Sequence, residues 1–442
     1  MANELSLGTQ RIGSFIDFYS DTPELQVTLE HSERGIGVRL SWTSMDSPYA
    51  RWFIESGPRI RIPPLPDLPP APRRALFVDS YGSVLLLRCR ANGYHMDVAG
   101  PGSGTLWSRI AILGPRDDID YENPHGIQSE ISGFREWLGV TSWSRQQSRV
   151  GSKGVYTFVS QTPEVIEVGT HDGITLSVQP AHGVENDRAG ARHILLDDLL
   201  VITQSSEPKS WDTHYQLHQA IRDLMLVSSW VAESCIPRFA RHEDDVVSTG
   251  DGKTYPATWQ RVVVPSSDRS PIVKGRRSHL LRYDELGTSG IVQWIKLRQE
   301  FARALDPVIT SVDLNDSWPA TRLAHTGPGL EALGYLLLRR DGMPEKKAAY
   351  ETLESKLNRV LQDLGDCLPF DGAGWVERTV ETYNALKHAN RSEPDPVDVI
   401  NAWQQSTLAA RAWVAVELGV AHSTLKTRLT EDRGNKQWVR SG

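Results

Sequence analysis

The stretch Val380-Glu381-Thr382-Tyr383-Asn384-Ala385-Leu386-Lys387-His388-Ala389-Asn390-Arg391 gathers a titratable imidazole, an amide and two cations just before the helix-breaking Pro394. On a helix, Asn384 and His388 stand at i and i+4 and share a face, with Lys387 adjacent and Arg391 three residues beyond His388. Such a set suits a phosphodiester. An imidazole moves protons near neutral pH. Cations stabilise the charge that grows on phosphoryl oxygens. No carboxylates with metal-ligand spacing lie nearby, so the chemistry that fits is attack of an RNA 2′-hydroxyl on its own phosphate, a route without a metal. The plain alternative is a helix C-terminus decorated with cations that complement its dipole.

The elements that must hold this segment follow from periodicity. From about Gly287 the chain reads as helical, with candidates at 291–305, 330–340, 345–364, 374–389 and 397–418. Short Gly/Pro/Asp joints such as Asp341-Gly342-Met343-Pro344 separate them, which predicts a bundle. The first ~200 residues alternate as strands do, at 25–29, 37–42, 75–79, 83–89, 106–113, 154–159, 164–168, 174–178 and 193–203. Ser80-Tyr81-Gly82 reads as a hairpin turn. The proline-rich 62–72 reads as an exposed connection, since proline lacks the donor a central strand needs. A short amphipathic helix is expected within 128–143. A long one is expected from Trp211, with its N-cap near Asp212-Thr213 and its end at Pro237. A further strand is expected at 261–264. The fold class is therefore α+β and multidomain: a β-rich N-terminal region with one long helix, then an all-α bundle.

The His388 segment resembles the signature of HEPN domains, which are helical bundles, usually dimeric, many of them metal-independent ribonucleases. Their motif is an Arg, commonly followed by a polar residue such as Asn, with a His a few residues later. Asn384 and His388 match the polar residue and the His. Tyr383 stands where the Arg would be, and it cannot supply that residue's charged, bidentate clamp. The resemblance implies His388 as the proton-transfer residue and Asn384 as the group that orients the His or the phosphate. It implies Lys387, Arg391 and Tyr383 as the RNA- and phosphate-facing set, with Lys387 or Arg391 in place of the missing Arg. The β-rich first half, GIQSEISGFREWLG (126–139) and SSEPKSWDTHYQLHQAIRDLMLVSSW (205–230) look like the amino-terminal domain of ApeA-type abortive-infection proteins, in which this region precedes a HEPN domain. The implied organisation is an ApeA-like sensor or regulatory region over 1–280, divisible near 150, and a HEPN-like domain over 287–442. The implied function is bacterial antiphage defence by cutting RNA, with tRNA a candidate. A homodimer through the HEPN-like domain, a phage-derived trigger at the first half, and no metal or cofactor are implied with it. The alternative is a catalytically degenerate HEPN dimer that binds RNA, a nucleotide or a phage protein. A carbohydrate- or ligand-binding β module with a helical cap is a third class.

Composition bounds these readings. At 442 residues the chain exceeds one ordinary domain. Its net charge of −7 argues against coating long nucleic acid through bulk charge and leaves room for a local basic site. Cys89, Cys235 and Cys367 are far apart, which disfavours a disulfide framework or a cysteine zinc site and fits a reducing cytoplasm. No signal peptide and no apolar run of ~18 residues is evident, so no membrane partner is expected. Residues 100–105 read as a β-turn rather than a phosphate loop, and 325–329 as a loop before a helix. His214 and His218, at i and i+4, lack an evident third metal ligand and read as packing residues. Residues 418–429 only faintly resemble a helix-turn-helix. Trp375, Trp403 and Trp413 are expected in the bundle core or a dimer seam.

Overall fold

Runs of β-branched and leucine residues with alternating burial build the first half. In the computed structural model the described residues are 3–19, 25–44, 47–55, 70–96, 101–116, 119–161, 164–186, 193–265, 277–314 and 317–439. The proline-rich connection falls outside them up to residue 69. The chain starts with β1 (Gln10–Ile16), β2 (Leu25–Ser32), β3 (Gly35–Trp42) and helix α1 (Pro48–Glu55). It continues through β4 (Arg74–Asp79), β5 (Gly82–Leu87), β6 (Arg90–Met96), β7 (Gly102–Ser108), β8 (Ile110–Leu113) and β9 (Gly126–Ile131). The short α2 (Phe134–Leu138) precedes β10 (Trp143–Val150), β11 (Lys153–Ser160), β12 (Ile166–His171), β13 (Ile174–Asn186) and β14 (His193–Gln204). Helix α3 (Trp211–Ser229) leads to β15 (Cys235–Arg241), the two-residue β16 (Val247–Ser248) and β17 (Thr254–Tyr255), and β18 (Gln260–Val263).

Fourteen of these strands form one antiparallel sheet in the order β12-β13-β14-β9-β15-β18-β8-β5-β4-β1-β2-β3-β7-β6. The β4–β5 hairpin closes on the expected turn: Asp79 pairs with Gly82, and an Asp79 carboxylate oxygen accepts from the Tyr81 amide at 2.8 Å. One apolar cluster is built from β1–β8 and α1 and includes the buried Trp52, Phe53 and Phe77. A second gathers Leu85 and Ile112 of those strands with Tyr121 and with Trp211 at the start of α3. Strands β10 and β11 pair only with each other among the described strands.

The second half is helical: α4 (Tyr283–Glu300), α5 (Ala302–Thr310), a 3-10 turn at Ser311–Leu314, α6 (Pro319–Arg340), α7 (Glu345–Tyr350), α8 (Leu353–Leu364), α9 (Gly372–Lys387), α10 (Pro396–Glu417) and α11 (His422–Thr430). The fold is thus α+β, β-rich first and helical after. One apolar core crosses the junction: Val178 and Val201 of the sheet, Ile221 of α3, and Trp294, Leu333 and Trp413 of the bundle belong to it. The Trp294 indole N–H donates to the Ala220 carbonyl at 2.6 Å, and Trp137 to Leu281 at 2.7 Å. Arg411 of α10 is 1% exposed. Its guanidinium donates to the Val227 and Ser228 carbonyls at the end of α3 (2.8 and 3.2 Å) and pairs with Asp432 at 2.9 Å. A cation against the last carbonyls of a helix opposes the helix dipole and satisfies acceptors that the helix leaves open.

Several expectations change. Residues 126–131 are strand β9, because they pair on both sides within the sheet, and only 134–138 are helical. Helix α3 is capped by Ser210, whose hydroxyl accepts from the Thr213 amide, and it ends at Trp230 in a left-handed conformation. Pro237 instead lies in β15 beside a register shift, where a missing donor is tolerated. Residues 102–105 are strand, paired to β3 and β6. Residues 325–329 lie inside α6, whose Pro328 is flanked by Gly327 and Gly329 at close approaches to Tyr383 and Ala304. Trp375 and Trp413 are fully buried, and Trp403 nearly so. Among the described residues no helix is long and apolar enough to cross a membrane.

Candidate functional site

Helix α9 starts at Asp371, whose carboxylate accepts from the Ala373 and Gly374 amides at 3.1 Å. Its buried face runs through Trp375, Val376, Thr379, Thr382 and Tyr383. The helix stops one residue before His388, which is the C-cap in an extended conformation (φ −120°, ψ 105°). The His388 amide still donates to the Asn384 carbonyl at 3.1 Å, and the Arg391 amide donates to the His388 carbonyl at 3.0 Å. A tight turn therefore carries His388, Ala389, Asn390 and Arg391, all exposed, toward the Asp395 cap of α10. The strict i, i+4 face expected for Asn384 and His388 does not extend to His388, because the helix ends at Lys387 and His388 has left helical φ/ψ. Asn384 is half-buried.

The other two residues are engaged within the bundle. Tyr383 is 4% exposed and packs with Leu323, Val399, Ala402 and Trp403. A Cβ on Gly327 would come within 2.2 Å of its ring, so glycine is what lets α6 lie against it. Burial, and then the neighbouring Glu331 carboxylate, push the Tyr383 hydroxyl above its ordinary pKa. Lys387 stands 3.7 Å from Glu331, with its ammonium over the Tyr383 ring at 5.1 Å. Glu331 also pairs with the buried Lys356 at 3.0 Å. Burial raises the pKa of Glu331, but the two lysines outweigh it, and the carboxyl titrates below its ordinary value. The charge of Lys387 is therefore shared with Glu331. Arg391 and His388 face solvent. A cavity of about 370 Å³ beside this turn is lined by Glu377, Glu381, Glu393, Asp395 and Asp398 with Arg378, and not by His388 or Arg391. Its charge disfavours a phosphate on that side of α9.

His214 and His218 are both fully buried. The His214 Nε2 contacts the Pro124 carbonyl at 3.1 Å, and since a carbonyl only accepts, Nε2 carries the proton. His218 Nε2 meets the Thr203 hydroxyl at 2.8 Å. Burial holds their pKa values down at about 4 and about 3. Among the described residues no third metal-ligating side chain joins them. They are neutral packing residues.

Comparison with known families bears on the first half. Residues 17–228 match the family model of ApeA N-terminal domain 1. The β-rich half is ApeA-like. The match runs from the end of β1 through α3, so the ApeA-like part holds the sheet from β2 to β14 and the helix on which the bundle is built. β15 and β18 lie beyond the match, yet they pair between β9 and β8 and complete the same sheet. Comparison with curated proteins and with solved structures gave no match.

The ApeA-like half also holds residues that sequence reasoning missed. Arg34, Arg39, Arg88, Arg90 and Arg109 come from separate strands and turns and line one cavity. The only local signals were the pairs Arg73-Arg74 and Arg88-Cys89-Arg90, too short to stand out in an acidic chain.

Proposed function

We propose that this chain is an abortive-infection protein of antiphage defence, in which the ApeA-like half governs a helical, HEPN-like half that cuts RNA. The observation that carries the reading is the match of residues 17–228 to ApeA N-terminal domain 1. The open placement of His388 supports the chemistry. His388 takes the proton of an RNA 2′-hydroxyl, whose oxygen attacks the adjacent phosphorus. The 5′-oxygen leaves with a proton from the His388 of a second copy, and a 2′,3′-cyclic phosphate remains. Arg391 and Lys387 steady the phosphate, and Asn384 orients the reacting groups. Two copies meeting at the ends of α9 build one cleft, and tRNA is the candidate substrate.

A second reading is a degenerate HEPN dimer that binds RNA, a nucleotide or a phage protein. The burial of Tyr383 favours it, because the position of the motif arginine is packed as core. Incubating the protein with total tRNA in excess EDTA, beside His388→Ala, separates the two. Cutting by the wild type alone supports the nuclease, and cutting by both removes His388 from the chemistry. Cutting by neither, followed by cutting from a folded Tyr383→Arg variant, supports the degenerate module.

A further inference from the structure

A cavity of about 1100 Å³ opens beside the edge strand β6 and its neighbour β7. Five arginines line it and, among the described residues, no Asp or Glu does. A second cavity of about 640 Å³ shares Arg88, Arg90 and Arg109 with it and adds Arg73 and Arg74, together with the carboxylates of Glu122 and Asp212. The chain as a whole carries −7, so this positive charge is a local concentration. Some of it is neutralised: Arg88 pairs with Asp212 at 2.9 Å and Glu122 at 3.5 Å, and Arg39 with Glu30 at 3.5 Å. Arg34, Arg90 and Arg109 are exposed and form no ion pair among the described residues. Like charges gathered without partners weaken a fold, so folding does not explain them, while an anionic ligand does.

The same wall carries aromatics. Trp107 is half-buried, its indole N–H fixed on the Asn92 carbonyl at 3.1 Å. A β-bulge at Gly93 (φ 77°) interrupts the pairing of β6 with β7. It breaks the in-out alternation of the edge strand, so that Asn92, Gly93, Tyr94 and His95 are all exposed in a row. Tyr94 is 40% exposed. Guanidinium groups beside open aromatic faces are the combination that holds a phosphate chain and stacks its bases.

We propose that this groove binds single-stranded nucleic acid, with phosphates on Arg34, Arg90 and Arg109 and bases against Tyr94 and Trp107. Two cavities joined through shared arginines exceed what a mononucleotide fills, which favours a strand over a small ligand. Aromatic faces stack on unpaired bases, which favours a single strand over a duplex. An acidic peptide would use the arginines but leave the aromatics without a role. The inference stands apart from the His388 chemistry, because binding here needs no cleavage.

The test is fluorescence anisotropy on the full chain with labelled 12-mer probes of RNA and of DNA in one sequence, and a 12-residue polyglutamate peptide. Arg90→Glu/Arg109→Glu alters exposed side chains without described partners, and circular dichroism checks its fold. The expected result is at least tenfold weaker oligonucleotide binding in that variant and several-fold weaker binding in Tyr94→Ala. Three phosphates predict a slope of log affinity against log salt near −2, shallower by about 1.4 in the double variant. The DNA probe lacks the 2′-hydroxyl, so it reads the groove even where RNA is cut. Loss with both probes supports recognition of phosphate and base; loss with RNA alone supports it and names RNA. Wild-type binding that the double variant retains, no binding at about 50 mM salt, or equal arginine-dependent capture of polyglutamate would overturn the proposal.

Discussion

Tyr383 and His388 share one helix end but meet opposite surroundings. His388 projects from a solvent-exposed turn, so His388→Ala should leave the melting temperature unchanged and abolish metal-free RNA cleavage, read by thermal melts and by gels in EDTA. Tyr383 fills the space between α6, α9 and α10, and Tyr383→Ala should cost about 3–5 kcal/mol in urea unfolding. Gly327 gives a sharper test. Alanine in a helix gains about 1 kcal/mol over glycine. Here its Cβ would meet the Tyr383 ring at 2.2 Å, and overpacking costs about 1–3 kcal/mol. The clash should win, so Gly327→Ala should lower stability, and Gly327→Ala/Tyr383→Leu should recover part of the loss.

At the scale of elements, the decisive joint is the contact of α10 with the end of α3. Arg411 crosses from the bundle to the carbonyls of the ApeA-like half and to Asp432. Arg411→Leu strands a nearly buried carboxylate and uncaps a helix, with an expected loss of about 3–5 kcal/mol in chemical denaturation. Because one core spans the junction, the loss should appear as a shift of a single transition rather than as an early step of one half. The elements themselves were largely legible. The β4–β5 hairpin followed from Ser80-Tyr81-Gly82 between β-rich runs, and the helices from their apolar stripe. The misread segments share a cause: 126–131 and Pro237 belong to strands whose partners lie far away in sequence, and tertiary pairing overrode local propensity.

At the scale of the whole molecule, pH acts through buried imidazoles. His214 and His218 have folded pKa values of about 4 and about 3, below the ordinary 6.5. The unfolded chain therefore takes up protons first as the pH falls. Stability should be full above about pH 6.5 and decline from there toward pH 4. His214→Asn/His218→Asn should flatten that slope in melts taken between pH 7 and 4, even where overall stability is lower. Asp79 acts lower on the scale. Its bidentate pair with Arg11 (2.6 and 2.8 Å) holds its carboxyl below the ordinary value of 3.8, so its contribution is present above that pH and lost as the pH falls below it. Arg11→Met should remove that last, most acidic part of the curve.

The sequence by itself determined the fold class, a β-rich half followed by helices, because periodicity of two and of 3.6 is written locally. It also determined that the helix carrying Asn384 must end before Pro394, because proline forbids continuation. Only the tertiary structure decided which candidates reach solvent. Tyr383 and His388 are near neighbours in the chain, and burial is fixed by what α6 and α10 bring against α9. The arginine groove was decided the same way. Its residues are scattered from Arg34 to Arg109, and only antiparallel pairing of β3, β7 and β6 sets them on one wall.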